Sequence, residues 1–446
     1  MQELIQKYNV PGPRYTSYPT VPYWDESTFS TDAWKTSILQ NKTQEVSLYI
    51  HLPFCESLCT FCACNKRITK RHEVESPYIQ AVLKEWDMYI DLFEEKPILR
   101  EIHLGGGTPT FFDPENLKFL IQTIKNTCEI PNDVSYSFEG HPNNTSEHHL
   151  KTLKSLGFDR VSFGIQDYNP KVQIAIHRIQ SFETVKNITK LSRQLGYTSI
   201  SHDLIYGLPL QTLGDVINTI ENTKELMPDR IAFYSYAHVP WTKGNGQRGY
   251  DENDLPSPEL KRLQYETGKQ MLEQIGYVEI GMDHFALPHD ELTKAFQEGT
   301  LHRNFMGYTT SKTSKLIGLG VSAISDSWFG FAQNQKNLNH YYDDLDRNNF
   351  PLYRGHILDE NDLLIRRKIL NLMCQFETSL QNLDYDDLNE IKLSLKEFEK
   401  DGLIEMDNEH LKVLDSGKTF IRNICMAFDQ RLKQNKPETQ LFSMTI

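Results

Sequence analysis

VSLYIHLPFCESLCTFCACNK, residues 46–66, decides how this chain is read. Its first half, VSLYIHLPF, is rich in β-branched and aromatic side chains and reads as a short strand. The strand runs straight into Cys55, Cys59 and Cys62, with Cys64 two residues on. Three thiolates spaced C-x3-C-x2-C on one loop can wrap a cubane iron–sulfur cluster, whose irons take Cys thiolates as ligands. Three ligands for four irons leave one iron open to a substrate or cofactor. Structural zinc is the competing reading. Zinc sites usually combine two short Cys/His pairs separated by a longer segment, and no second pair is evident. Cys64 stands awkwardly close to Cys62 for both to bind one ion, and reads as a non-ligand thiol or a small packed side chain.

Outward from this loop, β-rich runs alternate with helical ones. REIHLGGG from Arg100, DVSYSFEG from Asp133, DRVSFGIQD from Asp159, TSISHDLIYGL from Thr198 and DRIAFYSYAHVP from Asp229 follow the first strand. Between them lie amphipathic stretches such as YIQAVLKEWDMYIDLF from Tyr78 and NLKFLIQTIKNT from Asn116. This alternation predicts parallel strands with crossover helices, and six units predict an α/β fold built on an open, partial (β/α)6 TIM-like barrel. Residues 1–39 read as an N-terminal arm, in which PGPRYTSYPT is extended. Residues 40–273 read as the barrel, and 274–350 as an extension completing the active site. Residues 351–446 read as a mainly helical, winged-helix-like C-terminal domain. From Gly355 onward there are 17 acidic and 12 basic residues, which favours a structural or lid role over DNA binding.

The whole chain of 446 residues has 47 basic and 60 acidic side chains, a net charge of −13, which argues against general nucleic-acid binding. MQELIQKYNV lacks the basic stretch and apolar run of a signal peptide, and no stretch approaches the roughly 18 apolar residues of a membrane span. A cytoplasmic chain with no membrane partner is expected. Seven cysteines, four of them clustered, argue against a disulfide framework. The 15 histidines show no HExxH-like spacing and are assigned to packing and surface.

PRYTSYPT, YIHLPFCESLCTFCACNK, HLGGGTPT, SFGIQDYN, DLIYGLP, FYSYAHVP, DLPSP, GMDHFA, LHRNF, GYTT, GVSAIS and RNICMAFD run colinearly from the arm to the last helix. Together they resemble the oxygen-independent coproporphyrinogen III oxidase (dehydrogenase) family of radical S-adenosylmethionine enzymes. The resemblance implies a [4Fe–4S] cluster on Cys55, Cys59 and Cys62, its fourth iron going to S-adenosylmethionine. It implies an electron passed to that molecule, release of a 5′-deoxyadenosyl radical, and hydrogen abstraction from a propionate. Two propionates of coproporphyrinogen III would lose CO2 to become vinyl groups, giving protoporphyrinogen IX in haem biosynthesis. A low-potential electron donor such as flavodoxin or ferredoxin is expected, and a monomeric enzyme.

The same resemblance marks site residues. Gly105, Gly106 and Gly107, with the hydroxyl of Thr108, match the motif for the methionine amino group, and glycine lets backbone approach a ligand closely. Tyr49 and Phe61 are placed beside adenosylmethionine, Glu139 near its ammonium or ribose, and Ile324 beside the first cofactor. Gln166, Arg178 and Asp203, with Gly107, Thr108 and Ala237, are placed around a second. Singly, each has an ordinary explanation: a turn, core aromatics, a solvated strand end, a surface charge or simple packing. Two departures stand out. Gly140 and His141 replace the family's apolar residue and Asp, and Met306 stands where related enzymes can carry Gln near the second cofactor. Phe305 beside it could pack on an adenine or in the core. Arg14, on an arm that closes over the site, is the candidate contact for a propionate, or else a surface residue. Two alternatives differ in chemistry: a paralogous radical enzyme acting on another tetrapyrrole, and a haem-binding chaperone. The full arm and the last helix favour the oxidase.

Overall fold

Six parallel strands form the middle of the molecule: β1 (Glu45–Leu52), β2 (Ile98–Gly106), β3 (Ser135–Gly140), β4 (Phe158–Gln166), β5 (Ser199–Tyr206) and β6 (Arg230–Ser235). The computed structural model describes residues 2–239, 247, 249–311, 313–435, 437 and 441–445; Pro240, at the end of FYSYAHVP, lies outside them. In β1 the residues Val46, Leu48, Ile50 and Leu52 are fully buried, as a strand covered on its outer face requires. The period-two geometry of a strand then turns the alternate residues to the barrel interior. These are polar: Glu101 and His103 in β2, Ser137 and Glu139 in β3, Arg160 and Ser162 in β4, Ser201 and Asp203 in β5, Arg230 and Tyr234 in β6.

The crossover helices form for local reasons that also fix their packing. Asp113 caps the helix Pro114–Asn126 by accepting from the Glu115 N–H at 2.9 Å, and Pro114 occupies the first turn. Leu117, Leu120, Ile121 and Ile124 follow at helical spacing and are fully buried against the sheet. Each such side chain contributes about 1.5–3 kcal/mol by leaving water. Helices Glu147–Ser155 and Leu213–Leu226 start on reciprocal capping boxes, Ser146 with His149 and Thr212 with Asp215.

The sheet continues past both edges of this barrel. β7 (Val278–Gly281), β8 (His284–Ala286), β9 (Leu316–Leu319), β10 (Ile324–Asp326), β11 (Gly330–Asn334) and β12 (Leu352–Ile357) extend it to twelve strands, in the order β12-β11-β10-β9-β1-β2-β3-β4-β5-β6-β8-β7. β9 lies parallel on β1, from Ser47 opposite Leu316 to Ile50 opposite Leu319. The strand that leads to the cysteines is therefore interior to the sheet. β12 also belongs to this sheet although it lies beyond residue 350. No helix among the described residues is long and apolar enough to cross a membrane.

Residues from 360 on build a second apolar core. Helix Glu360–Gln375, strand Glu377–Ser379, helix Tyr385–Lys400 and the hairpin strands Ile404–Met406 and His410–Val413 follow in that order. The arm is part of this core. Tyr8, on helix Gln2–Tyr8, and Tyr15 and Tyr18 of the extended segment are buried with Ile369, Leu395, Phe420 and Phe428. Arg422 donates to the carbonyls of Gly12 and Pro13, and Asn423 to that of Tyr8. The arm expected to close over the site is thus anchored on this second core, because its tyrosines need an apolar partner and residues after 360 supply it. Farther along, helix Thr31–Gln40 packs Trp34 and Ile38 into the barrel core.

Candidate active site

The loop after β1 is tied to the end of β2 by its backbone. The Gly107 N–H donates to Leu52 O at 2.8 Å and the Thr108 N–H to Phe54 O at 3.0 Å. Glycine is required at 107, because a Cβ there would lie 2.6 Å from the carbonyl carbon and oxygen of Pro53. Gly106 has φ +108°, a left-handed conformation that suits glycine. Thr108 Oγ1 donates to Cys55 Sγ at 3.3 Å. On the other flank, Thr60 donates from its N–H to Ile176 O and from its hydroxyl to Ala175 O, both at 3.0 Å.

A cavity of about 170 Å3 opens between these pieces, at the C-terminal ends of the strands where barrel enzymes place their sites. Cys55, Cys59, Cys62 and Cys64 line it, together with Phe61, Gly106, Gly107, Thr108, Glu139, Gln166, Arg178 and Asp203. Two cations attend the thiols. Lys66 Nζ donates to the carbonyls of Cys62 and Cys64 at 2.8 and 3.4 Å, and Arg178 Nη1 lies 3.8 Å from Cys59 Sγ. Hydrogen bonding to Cys64 holds the Cys62 thiol below its ordinary range, with Lys66 and Arg178 assisting and burial opposing. Burial pushes Cys55 up to about 11, against the bond from Thr108. Among the described residues no three His, Cys, Asp or Glu side chains converge closely enough for one metal ion. A single zinc draws its sulfurs to within about 2.3 Å of itself, whereas a four-iron cluster spreads its ligands around a larger body. Three thiols on one cavity wall, beside two cations, fit the cluster.

The carboxylates divide in character. The Glu139 carboxyl is pulled down despite burial, by His103 at 3.4 Å and the Gly106 N–H at 3.3 Å. Burial raises Asp203 to about 7, with Ser162 Oγ at 2.9 Å opposing and Glu139 adding repulsion. Glu139, Ser162 and Asp203 also form the wall of a second chamber of about 150 Å3, deeper in the barrel, among Glu101, His103, Arg160, Arg230, Tyr234, His284 and Met306. Of the chamber cations, Arg230 Nε donates to Asp290 at 2.8 Å, whereas Arg160 approaches Glu101 only to 3.5 Å and its buried Nε has no hydrogen-bond partner among the described residues.

Tyr49, Ala237, Ile324, Phe305 and Arg14, all named from the sequence, lie off the outer cavity. Tyr49 stacks on His103, ring centroids 5.9 Å apart, and shares a 3.1 Å hydrogen bond with His51 behind the Gly105–Gly106 turn. Ala237 reaches Phe61 through Gln247, whose amide donates to both carbonyls at 3.0 Å. Ile324 packs with Trp24, Phe331 and Leu358, and Phe305 meets Trp24 and Phe331 edge-on in the same cluster. Arg14 is paired with Asp283 beneath the arm. The departures have local explanations. Gly140 is wedged between the Thr145 hydroxyl and the Phe163 ring, and His141 stands in the cavity wall, kept neutral by burial and by Arg178. His103, His141 and His284 line the chambers, which corrects their assignment to packing and surface. Sequence reading also passed over Lys66, Ser162, Arg160, Arg230 and Gln247. The signal for the barrel residues was present: polar residues recurring at alternate positions of strands otherwise apolar.

Comparison with known proteins follows the same lines. Residues 49–222 match the radical SAM superfamily. The oxygen-independent coproporphyrinogen III oxidases of Synechocystis and Escherichia coli are each 40% identical to the chain, over 100% and 99% of it and 97% and 98% of their own lengths. That of Pseudomonas aeruginosa is 38% identical over 96% of the chain. The solved structure of coproporphyrinogen III oxidase from Escherichia coli, described as a radical SAM enzyme, superposes with a TM-score of 0.89 at 37% identity, covering 96% of this chain and 98% of that one. With its cysteine loop, its open barrel and its likeness over the full length, the chain belongs to the oxygen-independent coproporphyrinogen III oxidase family of radical SAM enzymes.

Proposed function

We propose that this chain carries out the anaerobic oxidative decarboxylation of two propionate side chains of coproporphyrinogen III to vinyl groups, giving protoporphyrinogen IX. The observation that carries this reading is the convergence of Cys55, Cys59 and Cys62 with Glu139, Arg178 and Asp203 on one cavity, in a chain alike over its whole length to oxidases of that name. Cys55, Cys59 and Cys62 would hold a [4Fe–4S] cluster and leave one iron to S-adenosylmethionine; when bound, these groups supply the 5′-deoxyadenosyl radical that removes hydrogen from a propionate.

The chain's own residues bind, orient and exclude. Gly106 and Gly107 keep that wall of the cavity free of side chains, and Glu139 offers an ionised carboxylate to the ammonium of the first adenosylmethionine. Tyr49 holds the turn behind that glycine pair and Ile324 backs the neighbouring strand. Gln166, Arg178, Asp203, Thr108 and the backbone at Ala237 serve a second adenosylmethionine, with Phe61 covering the loop. Asp203, poised near neutrality, can accept from a ribose hydroxyl or donate to it. Arg14, which is 35% exposed and paired with Asp283, is the candidate contact for a propionate. The enzyme works in the cytoplasm as a monomer, fed by a low-potential carrier such as flavodoxin or ferredoxin.

The test is an anaerobic incubation of the reconstituted protein with coproporphyrinogen III, adenosylmethionine and a reductant. Protoporphyrin after oxidation, and two 5′-deoxyadenosines per converted substrate, are expected. Stable stoichiometric haemin binding without any turnover would instead identify a haem chaperone.

A further inference from the structure

The outer face of the cysteine loop differs from the rest of this acidic chain. KRITKRH, residues 66–72, contains four Lys or Arg side chains and no carboxylate, in a protein of net charge −13. The fold places it directly beside the cluster site. Arg67 N–H donates to Pro53 O at 2.8 Å and Thr69 N–H to Cys55 O at 2.9 Å, so residues 67 and 68 form a short parallel ladder with Phe54 and Cys55. Lys66 turns inward to the cysteine carbonyls. Arg67, Lys70 and Arg71 are exposed, with no ion pair among the described residues. Glu56 and Glu73 are the exposed acids nearby, and Glu56 is faced by His72 at 3.9 Å.

The same face exposes large apolar side chains. Leu58, between two of the cysteines, is 39% exposed, and Ile68, next to Cys55 in the ladder, 42%. On the flank where Thr60 is bonded to Ala175 and Ile176, Ile174 is 62% exposed and Ile179 67%. Nothing in the barrel's packing calls for these side chains in water. An apolar centre with a charged rim is the make-up of a protein interface. Transient electron-transfer encounters are small, below about 1,200 Å2.

We propose that the loop face formed by Leu58, Ile68 and Ile174, rimmed by Arg67, Lys70 and Arg71, is the docking surface for an acidic one-electron carrier protein. The proposal rests on the reading of the cysteines as a cluster site that must be reduced. In the step served by this face, one electron leaves the carrier's reduced group and enters the cluster, and no bond forms or breaks. The basic rim steers the acidic partner, and Leu58 sets it against the segment between Cys55 and Cys59.

The test measures cluster reduction by stopped flow, followed by visible bleaching, in the anaerobically reconstituted protein. The reductants are a reduced acidic flavodoxin and, separately, reduced methyl viologen, a small cation that needs no docking surface. In the R67E/K70E/R71E variant the flavodoxin rate should fall about tenfold or more at low ionic strength, and the gap should close in high salt. The viologen rate should not fall. Equal flavodoxin rates in the variant and the natural protein overturn the proposal. If the variant fails to take up iron, the natural protein decides: a flavodoxin rate independent of salt overturns it, and a steep decline with salt supports it. Failure of the viologen-reduced natural protein to convert coproporphyrinogen would count against the enzymatic reading and leave the docking result intact.

Discussion

Replacing Gly107 with alanine adds one methyl group where the fold has no room for it. The new carbon would meet the Pro53 carbonyl carbon and oxygen at 2.6 Å and Leu52 O at 2.9 Å. All three are backbone atoms, so no side-chain rotation relieves the clash. The chain must move, and the 2.8 Å bond from Gly107 N–H to Leu52 O resists. The segment forced away leads straight to Cys55. Overfilling a packed site costs about 1–3 kcal/mol, and at about 1.4 kcal/mol per factor of ten this favours the displaced loop by roughly 5–150-fold. The assay is iron and sulfide per chain after anaerobic reconstitution, followed by the rate of iron loss to a chelator under argon. Gly107→Ala should lose iron faster by that factor. Gly214→Ala, where the added carbon meets only the Thr212 hydroxyl at 3.6 Å, is the control. Natural iron content and natural loss rate in Gly107→Ala would refute the claim that this close approach shapes the loop.

Other perturbations follow from the same geometry. Arg178→Ala removes a charged donor that bonds Gly164 O at 2.6 Å; turnover should drop by about 1.5–3 kcal/mol of transition-state stabilisation, with iron content retained, as steady-state kinetics and iron analysis will show. Glu85 is fully buried, accepts from Gly320, Asn334 and Tyr341, and is raised by burial from 4.5 to about 7. The folded chain therefore binds more protons than the unfolded one between those values, and stability falls as pH rises through that window, by on the order of 3 kcal/mol. Glu85→Gln should flatten this decline, read from thermal unfolding at pH 5 and pH 8; parallel profiles would remove Glu85 as its source. Deleting residues 1–20 strips Tyr8, Tyr15 and Tyr18 from the second core and leaves Arg422 without the Gly12 and Pro13 carbonyls. The truncated protein should show early unfolding and protease cleavage after residue 360, and full thermal stability would show that the arm contributes nothing to the second core.

The strands were legible because a parallel sheet covered on its outer face concentrates β-branched and aromatic residues, as Val46 to Leu52 do. The cysteine loop was legible because its thiols are local in sequence. Residues that meet across distance were harder to read. Glu101 and His103 alternate with Ile102 and Leu104 in plain sight, yet their polar partners Ser137, Glu139, Arg160 and Thr309 come from three other strands. The arm's prolines suggest an extended segment, and that much is found. Its tyrosines gave no sign of their destination, because the surfaces they fill belong to residues after 360. Tyr49, Ala237 and Ile324 were marked by resemblance; the structure places them behind a turn, at a bonded carbonyl and in packing, positions that leave no imprint on side-chain chemistry.

The pairing of β1 with β9 has a bearing on how the protein is made. β2 arrives about 45 residues after β1, but the other neighbour, β9, arrives about 260 residues after it. At ribosomal speeds of about 5–20 residues per second, the cysteine-bearing strand waits roughly 13–50 s with one edge bare. During that interval its unpaired N–H and C=O groups are a template for another chain, beside thiols not yet capped by metal. A chain stopped before residue 316 keeps this edge open permanently, although every residue that lines the pocket, from 55 to 203, has by then been made.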